Sequence, residues 1–366
     1  MESSHKKAPQ LSSTLQIAAN ATRPLAPEPM RLRLLKLAQT LPLWLSRDNQ
    51  PFIASPTAIP LYSEEFFALL LHLAAKHLNH FPSLYEFTFV RSALDQQART
   101  AKQKQPIHTR IVKLTPRSYQ IDLTTEDQQV INITGKRWKQ STRPRTRFHR
   151  LELQTPLPSP SPVAFTLAEC FERIFATPPA DAIRLAIWLA EAFLPDRKPP
   201  VLIITGEARD EAVSLLRNLI DPVIEPIIYS PTCPIELDRM SLDHKVLAFS
   251  VWNQPTATLV KKLNTIHQGT RIRLRHTNKR KPRPNTTVQR PVLIASQTPI
   301  EINKDQITIE INATLTADPG KIFHALLDLL VKLTGQSAIK PRYLTHAAPA
   351  GMPLAPTRQP QVINTS

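Results

Sequence analysis

The sequence predicts an α/β fold, a parallel sheet with helices built around a degenerate phosphate-loop-like turn and preceded by a smaller α+β domain. Three observations predict it. Residues 201–205 form a short apolar, β-branched run that ends in Gly206, and residues 212–220 then carry apolar side chains at helical spacing, the strand–turn–helix unit of a parallel sheet. From there to residue 333, short apolar runs alternate with helical stretches. Upstream of the break at Thr155-Pro-Leu-Pro-Ser-Pro-Ser-Pro162 the order changes, with helices first and alternating strands after them.

The chain of 366 residues has room for two domains and tails. Residues 1–28 and 337–366, rich in Pro, Ala, Ser and Thr and without sustained periodicity, read as disordered tails. In the first domain, 29–154, an amphipathic helix over 61–78 starts at Ser63 with Glu64 and Glu65 in its first turn, where the helix dipole favours acids. A second helix begins at Ser83 and reaches about residue 101. Strands follow at 108–114, 118–123 and 129–133, with Pro116 in a turn. Residues 155–162 read as an extended, semi-rigid linker. The second domain, 163–336, opens with Thr166 and Glu169 as a capping box for a helix through Phe175. Asp181 caps a helix over 182–194 that Pro195 stops. Strands are predicted at 201–205, 224–229, 245–251, 290–296 and 306–311, and helices at 212–219, 257–267 and 319–333. The last helix has Asp318 as N-cap and Pro319 in its first position, two start signals that agree.

The turn after residue 205 has the frame of a phosphate-binding loop without its chemistry. Such a loop presents backbone N–H groups at a helix start, and needs a second glycine, a lysine for the phosphates and a Ser/Thr for magnesium. Here Gly206 is followed by Glu207, Ala208, Arg209, Asp210 and Glu211, and no lysine occurs between Lys198 and Lys245. Three carboxylates stand where one cation belongs. Other chemistry finds little support. Two cysteines, Cys170 and Cys233, are too few for a zinc site or a disulfide scaffold. Eleven histidines are scattered; His72, His77 and His80 share a helical region without further ligands, and His244 and His276 lack a nucleophile or paired acid. Ser214 and Ser250 sit in no nucleophile elbow. No metal or cofactor is expected. With 6 glycines against 36 prolines, glycine-rich catalytic loops are not expected either.

Charge is the second strong signal. Lys and Arg number 46 against 29 Asp and Glu, a formal net charge of +17, which attracts polyanions. No apolar run approaches the roughly 20 residues of a membrane span and no signal segment opens the chain, so a cytoplasmic protein without membrane contact is expected. One cationic cluster covers 136–150: Lys136, Arg137, Lys139, Arg143, Arg145, Arg147 and Arg150, without an acid and with Trp138 and Phe148 interleaved. Either it contacts phosphates and stacks bases, or it is a solvated strand and loop. The other cluster spans 271–283. Arg271, Arg273 and Arg275 alternate with Ile272 and Leu274, and Lys279, Arg280, Lys281 and Arg283 follow. One strand face is then basic and the other apolar, a hairpin with a basic tip. One-signed clustering favours contact with a nucleic-acid backbone over a solubilising loop.

The order of several phrases along residues 40–335 resembles the ATP-binding, helicase-like proteins of phages and integrative elements, whose core is an AAA+ ATPase of the superfamily-three helicase or primase–helicase type. The phrases are Val201-Leu-Ile-Ile-Thr-Gly-Glu207, Leu216-Arg-Asn-Leu-Ile-Asp-Pro222, His244-Lys-Val-Leu-Ala-Phe249, Gly269-Thr-Arg271 and Arg290-Pro-Val-Leu-Ile294, with His108-Thr-Arg-Ile-Val112, Tyr119-Gln-Ile-Asp-Leu123 and Ala186-Ile-Trp-Leu-Ala190 upstream. The resemblance implies a degenerate AAA+ domain, because this chain departs from the family where catalysis resides. The loop lacks its lysine and is shorter, Ser250 stands where the family's acidic motif begins, and Ala295 and Ser296 stand where a polar asparagine ends the later strand. Phosphoryl transfer depends on positioning and electrostatics, so three losses together imply a pseudo-ATPase that keeps nucleic-acid binding, DNA in particular. A related active ATPase or further copies of itself are the implied protein partners. The alternatives are a divergent ATPase or helicase that uses Arg209 with a partner's residues, and a decayed copy without function.

Overall fold

The computed structural model describes residues 28–335 apart from 47–48, 55–56, 101–103, 151–153, 225–227, 230–232 and 274–284. Both expected tails, all but Glu28, lie outside the described residues. The chain opens with α1 (Met30–Ala38), the short strands β1 (Leu43–Ser46), β2 (Pro51–Ala54) and β3 (Ala58–Pro60), α2 (Glu64–Leu78), α3 (Leu84–Thr100) and β4 (Lys104–Gln105). Ser63 caps α2 as expected, its Oγ accepting the Phe66 N–H at 3.3 Å. The sheet runs β3-β2-β1-β4, and Leu34, Ile53, Leu61, Phe66, Leu70, Phe87 and Leu94 form its core with the three helices. The sequence predicted α2 and α3; α1 and β1–β3, too short for a period to show, it did not.

An antiparallel meander follows: β5 (Ile111–Thr115), β6 (Ser118–Asp122), β7 (Val130–Thr134) and β8 (Trp138–Ser141), each strand paired with the next. Then come α4 (Leu167–Phe175), with the predicted Thr166–Glu169 capping box, and α5 (Pro179–Phe193). α5 starts earlier than expected. Pro179 occupies its first position, where a missing N–H costs nothing, and Asp181 lies inside the first turn, accepting from Arg184 at 3.2 Å. The remaining elements are β9 (Leu202–Thr205), α6 (Arg209–Ile220), β10 (Ile228–Tyr229), α7 (Pro234–Asp243), β11 (Leu247–Val251), α8 (Ala257–Gln268), β12 (Thr270–Arg273), β13 (Asn285–Val288), β14 (Val292–Ser296), β15 (Ile307–Glu310) and α9 (Pro319–Gly335).

Five of these strands form one parallel sheet in the order β10-β11-β14-β9-β15. The segments predicted at 201–205, 245–251 and 290–296 are therefore neighbours, β14 lying between β11 and β9. Side chains alternate between two faces. Leu202, Ile204, Ala248, Leu293 and Ala295 point into a core with α4, α5, α6 and α9. Ile203, Leu247, Phe249, Val292 and Ile294 point into a second core with α7 and α8. Handedness explains the split. The chain moves one way along the sheet from β9 to β10 and the other way from β10 through β11 to β14, so right-handed crossovers put α6 on one face and α7 and α8 on the opposite one.

The first of these cores also contains Tyr119, Ile121, Ile131 and Ile133 of the meander, and Leu157. The proline-rich segment, 155–162, forms neither helix nor strand and is seated rather than free. Leu157 is buried, and the N–H groups of Thr155, Leu157 and Ser161 donate to Pro222 O, Leu123 O and Gly320 O at 3.0 Å each. Prolines leave few further donors to satisfy in such a strap.

Candidate nucleotide edge and nucleic-acid interface

The polarity of the sheet brings the sequence-predicted loop residues together. Gly206 leaves the carboxyl end of β9. In the ladder Ser250 on β11 pairs with Ala295 on β14, and Ala295 pairs with Ile204 on β9. From β9 the chain turns to the α6 face. From β14 it turns to the other face, where Ile300 and Ile302 join the second core. Divergence of that kind opens a crevice at the carboxyl ends of the strands.

The crevice is closed by the chain itself. Gly206 has φ +97°, and a side chain there would run into Ile311 O and come within 2.5 Å of Asn312 Oδ1, just beyond β15. The next two N–H groups, which in a phosphate loop would face the anion, are taken: Glu207 donates to Asn312 Oδ1 at 3.3 Å and Ala208 to Ile311 O at 3.1 Å. Asn312 is fixed in turn by Nδ2 donating to Glu310 at 3.0 Å. Arg209 folds back onto its own loop, Nη1 donating to Gly206 O at 3.0 Å and Nη2 lying 3.6 Å from Asp210 Oδ2. α6 has no side-chain cap, and Asp210 and Glu211 occupy its first turn, supplying negative charge that the helix dipole would otherwise draw from a ligand. Ser250 and Ala295 are buried, and Ser296 donates its hydroxyl to Thr298 O at 2.6 Å. Trp252, just past β11, is exposed.

At the opposite, amino edge of the sheet, β12 and β13 form the expected antiparallel hairpin, Thr270 facing Val288 and Arg273 facing Asn285. Ile272 and Val288 are buried in the second core and Arg271 is exposed, so the predicted alternation is seen at Arg271 and Ile272. Arg273 ends β12; Arg275, Lys279, Arg280, Lys281 and Arg283 fall in 274–284, outside the described residues.

The other basic cluster is divided. Lys136, Arg137, Lys139, Arg143 and Arg145 are exposed. Arg147 lies over the Trp44 ring at 5.6 Å, and Arg150 grips Asp122 at 2.8 and 3.0 Å. Of the interleaved aromatics Phe148 has no face free for stacking, a correction to the sequence reading, while Trp138 is half-buried. Phe148 is buried with Val112 and Val130. Trp138 packs edge-to-face against His324 and donates Nε1–H to Asp328 at 2.9 Å. A half-buried indole with a satisfied N–H makes Trp138 part of the joint between β8 and α9.

One site escaped the sequence altogether. Arg110, wholly buried with φ +59°, donates to Asp221 Oδ1 at 3.3–3.4 Å, Thr155 O at 3.1 Å and Pro222 O at 3.3 Å. Asp221, the C-cap of α6, also accepts from Gln154 Nε2 at 3.2 Å and from the Lys245 N–H at 2.6 Å. The meander is thereby tied to the amino edge of the parallel sheet. A left-handed, buried arginine leaves no mark in composition or period.

Among the described residues no group of His, Cys, Asp and Glu is arranged to hold a metal ion, and no helix is long and apolar enough to cross a membrane. No protein-family model matches the chain, and no curated protein does. Among solved structures it is similar to two A-form apo structures of the NrS-1 C-terminal region. One, spanning 305–718 of that protein, superposes with a TM-score of 0.39 at 13% identity, over 83% of this chain and 67% of the other. The second gives 0.41 at 12% identity, over 84% and 69%.

Proposed function

We propose that the chain is a catalytically inactive, helicase-like pseudo-ATPase that binds nucleic acid, DNA in particular, in the replication or maintenance of a mobile genetic element. The supporting observation is the closed loop: the Glu207 and Ala208 N–H groups are bonded within the protein, and Gly206 has no room above it. A triphosphate needs those N–H groups, a lysine and a magnesium-holding carboxylate. Glu207 and Asp210 bring negative charge where the lysine belongs, and Ser250 and Ala295 bring no carboxylate or amide to the ends of the later strands. Arg209, the residue a divergent ATPase would have to use, is engaged with Gly206 O and Asp210. The degenerate AAA+ assignment rests on the sequence resemblance and on Gly206, Ser250 and Ala295 meeting at one sheet edge. Binding is assigned to the β12–β13 hairpin with the exposed cations of 136–150.

Two measurements on the purified chain test this. ATP should give no saturable binding at millimolar concentration and no turnover; hydrolysis that disappears in Arg209→Ala would establish the divergent ATPase instead. Single-stranded and duplex DNA should bind at low salt with little sequence preference. Replacing Arg273, Arg275, Lys279 and Arg280 together by Ala should weaken binding to all sequences alike and reduce the log–log salt slope by roughly one for each phosphate the variant no longer neutralises. Equal binding by the quadruple variant removes the hairpin from the interface.

A further inference from the structure

At the amino edge of the parallel sheet, opposite Gly206, the segments entering β9, β11 and β14 enclose a cavity of about 20 Å³. That is room for roughly one or two waters by the usual measure. Its wall carries Arg197, Lys198, Lys245 and Arg290, with His267 and Gln289, and no carboxylate. It shares Arg197, Lys198 and His267 with a wider cleft of about 860 Å³. Acids on that cleft's rim include Glu191, Asp305 and Asp196, the last held by Lys113 at 2.6 Å and by the Tyr119 hydroxyl at 3.0 Å.

The charges around the cavity do not balance. Asp221 is the buried carboxylate that acts on both Lys245 and Arg290, and Asp196, held by Lys113 and Tyr119, acts on Lys245 as well. Asp221 already accepts from Arg110, Gln154 and the Lys245 backbone. No group among the described residues takes a hydrogen bond from Lys245 Nζ. Arg290 donates only to carbonyls, Ser241 O at 2.8 Å and Gln289 O at 3.4 Å. Burial, and then repulsion by Arg290, pushes the Lys245 ammonium down to about 8; burial pushes Arg290 down to about 10. Both side chains are half-buried, and charges withdrawn from water are ordinarily paired, so two cations lining a cavity that holds no carboxylate describe half of an ion pair.

We propose that the mouth of this cavity is a phosphate-group site, in which one oxygen of the oxyanion reaches in toward Lys245 and Arg290 while Arg197 and Lys198 flank the rest of the group at the mouth. The site lies at the root of the basic hairpin, since His267 and Gln268 lead into β12, and Gln289 and Arg290 follow β13 directly. A backbone phosphate of a strand lying along the hairpin is one source of the group, and it rests on the nucleic-acid reading above. Free phosphate is the other source and does not.

Thermal melting of the full chain in inorganic phosphate against chloride at equal ionic strength, with Lys245→Met and Arg290→Gln alongside, tests the site. Phosphate should raise the parent's melting temperature and leave both variants unmoved. Lys245→Met should melt no lower than the parent in chloride, because it removes an unpaired cation; a lysine with a merely structural role would show the reverse. A single-stranded oligonucleotide separates the sources. If it fills the site, its salt slope falls by about one in Lys245→Met; an unchanged slope with the phosphate response intact assigns free phosphate. A phosphate response lost in the variants, with no oligonucleotide bound by the parent, keeps the site and removes the nucleic-acid reading. Equal phosphate responses in parent and variants, or none in the parent, overturn the site, and oligonucleotide binding through the hairpin then stands on its own. Should Lys245→Met not fold, Lys245→Gln carries the same comparison.

Discussion

At the carboxyl edge of the parallel sheet the loop N–H groups are bonded within the protein, Glu207 and Ala208 donating to the exit of β15, Arg209 Nη1 to Gly206 and Ser296 to Thr298, while Arg209 Nε and Asp210 Oδ1 are buried without a hydrogen-bond partner among the described residues. At the amino edge of the same strands, Lys245 and Arg290 line a cavity that holds no carboxylate, with Asp221 the one buried acid among the described residues acting on both, and a basic hairpin is inserted beside them. The sheet itself is indifferent to which edge is used, because its stability lies in the two apolar cores that sandwich it. A strand–turn–helix frame thus persists with or without the groups that bind a phosphate, and function has to be argued from the site rather than from the frame.

The largest expected effect concerns what holds the amino edge in place. Arg110→Met leaves Asp221 buried with its principal cation gone, and breaking such a pair from one side costs about 3–5 kcal/mol. Urea unfolding measures it, and a loss below about 1 kcal/mol would mean that the Arg110–Asp221 pair contributes little to the joint. Phosphate binding should weaken as well, since the Lys245 backbone hangs from Asp221.

The carboxyl edge should respond more modestly. Gly206→Ala places a methyl against Ile311 O in a left-handed backbone, at a cost of about 2 kcal/mol. If the two edges are independent, this variant lowers stability and leaves nucleic-acid affinity and the phosphate response where they were. A parallel loss of DNA binding would mean that the Gly206 loop belongs to the interface.

Local signals were legible in the sequence, and tertiary ones were not. The capping boxes and caps at Thr166, Ser63 and Asp318 act over three residues, so they can be read directly, and Gly320 N–H does donate to Asp318 at 2.9 Å. The long apolar runs at 201–205, 245–251 and 290–296 had to be sheet strands buried on both faces, and their common polarity gathered Gly206, Ser250 and Ala295. β8 was left open between a phosphate-contacting surface and a solvated strand and loop because only Trp138 has an inward partner, and that partner, α9, comes from the far end of the chain. The same distance made Trp138 and Phe148 look like free aromatics. α7 was missed because Leu237 and Met240 supply too little periodicity until they meet the second core. Lys245 and Arg290 look like isolated cations in one dimension; β11 pairing with β14 brings them together.

The smallest expected effect probes that last pair through pH. Lys245 sits at about 8 in the folded protein against 10.5 for an unperturbed lysine. Between those values the unfolded chain carries a proton that the folded chain has released, so unfolding takes protons up and stability rises with pH across the window. The contribution is fully present above about 10.5 and is lost as pH falls through 8. Other groups titrate there too, so the quantity to measure is the difference between parent and Lys245→Met in urea unfolding from about pH 7.5 to about 10.5. The parent should gain on the variant by about 1 kcal/mol over that range, the full shift being reduced by solvent screening of a partly buried side chain. Saturating phosphate should flatten the difference, since a bound oxyanion restores the ammonium's pKa toward its ordinary value. A gap between parent and variant that does not change with pH, in either buffer, would show that Lys245 is solvated and that the two edges of the sheet do not differ in the way the unpaired cations suggest.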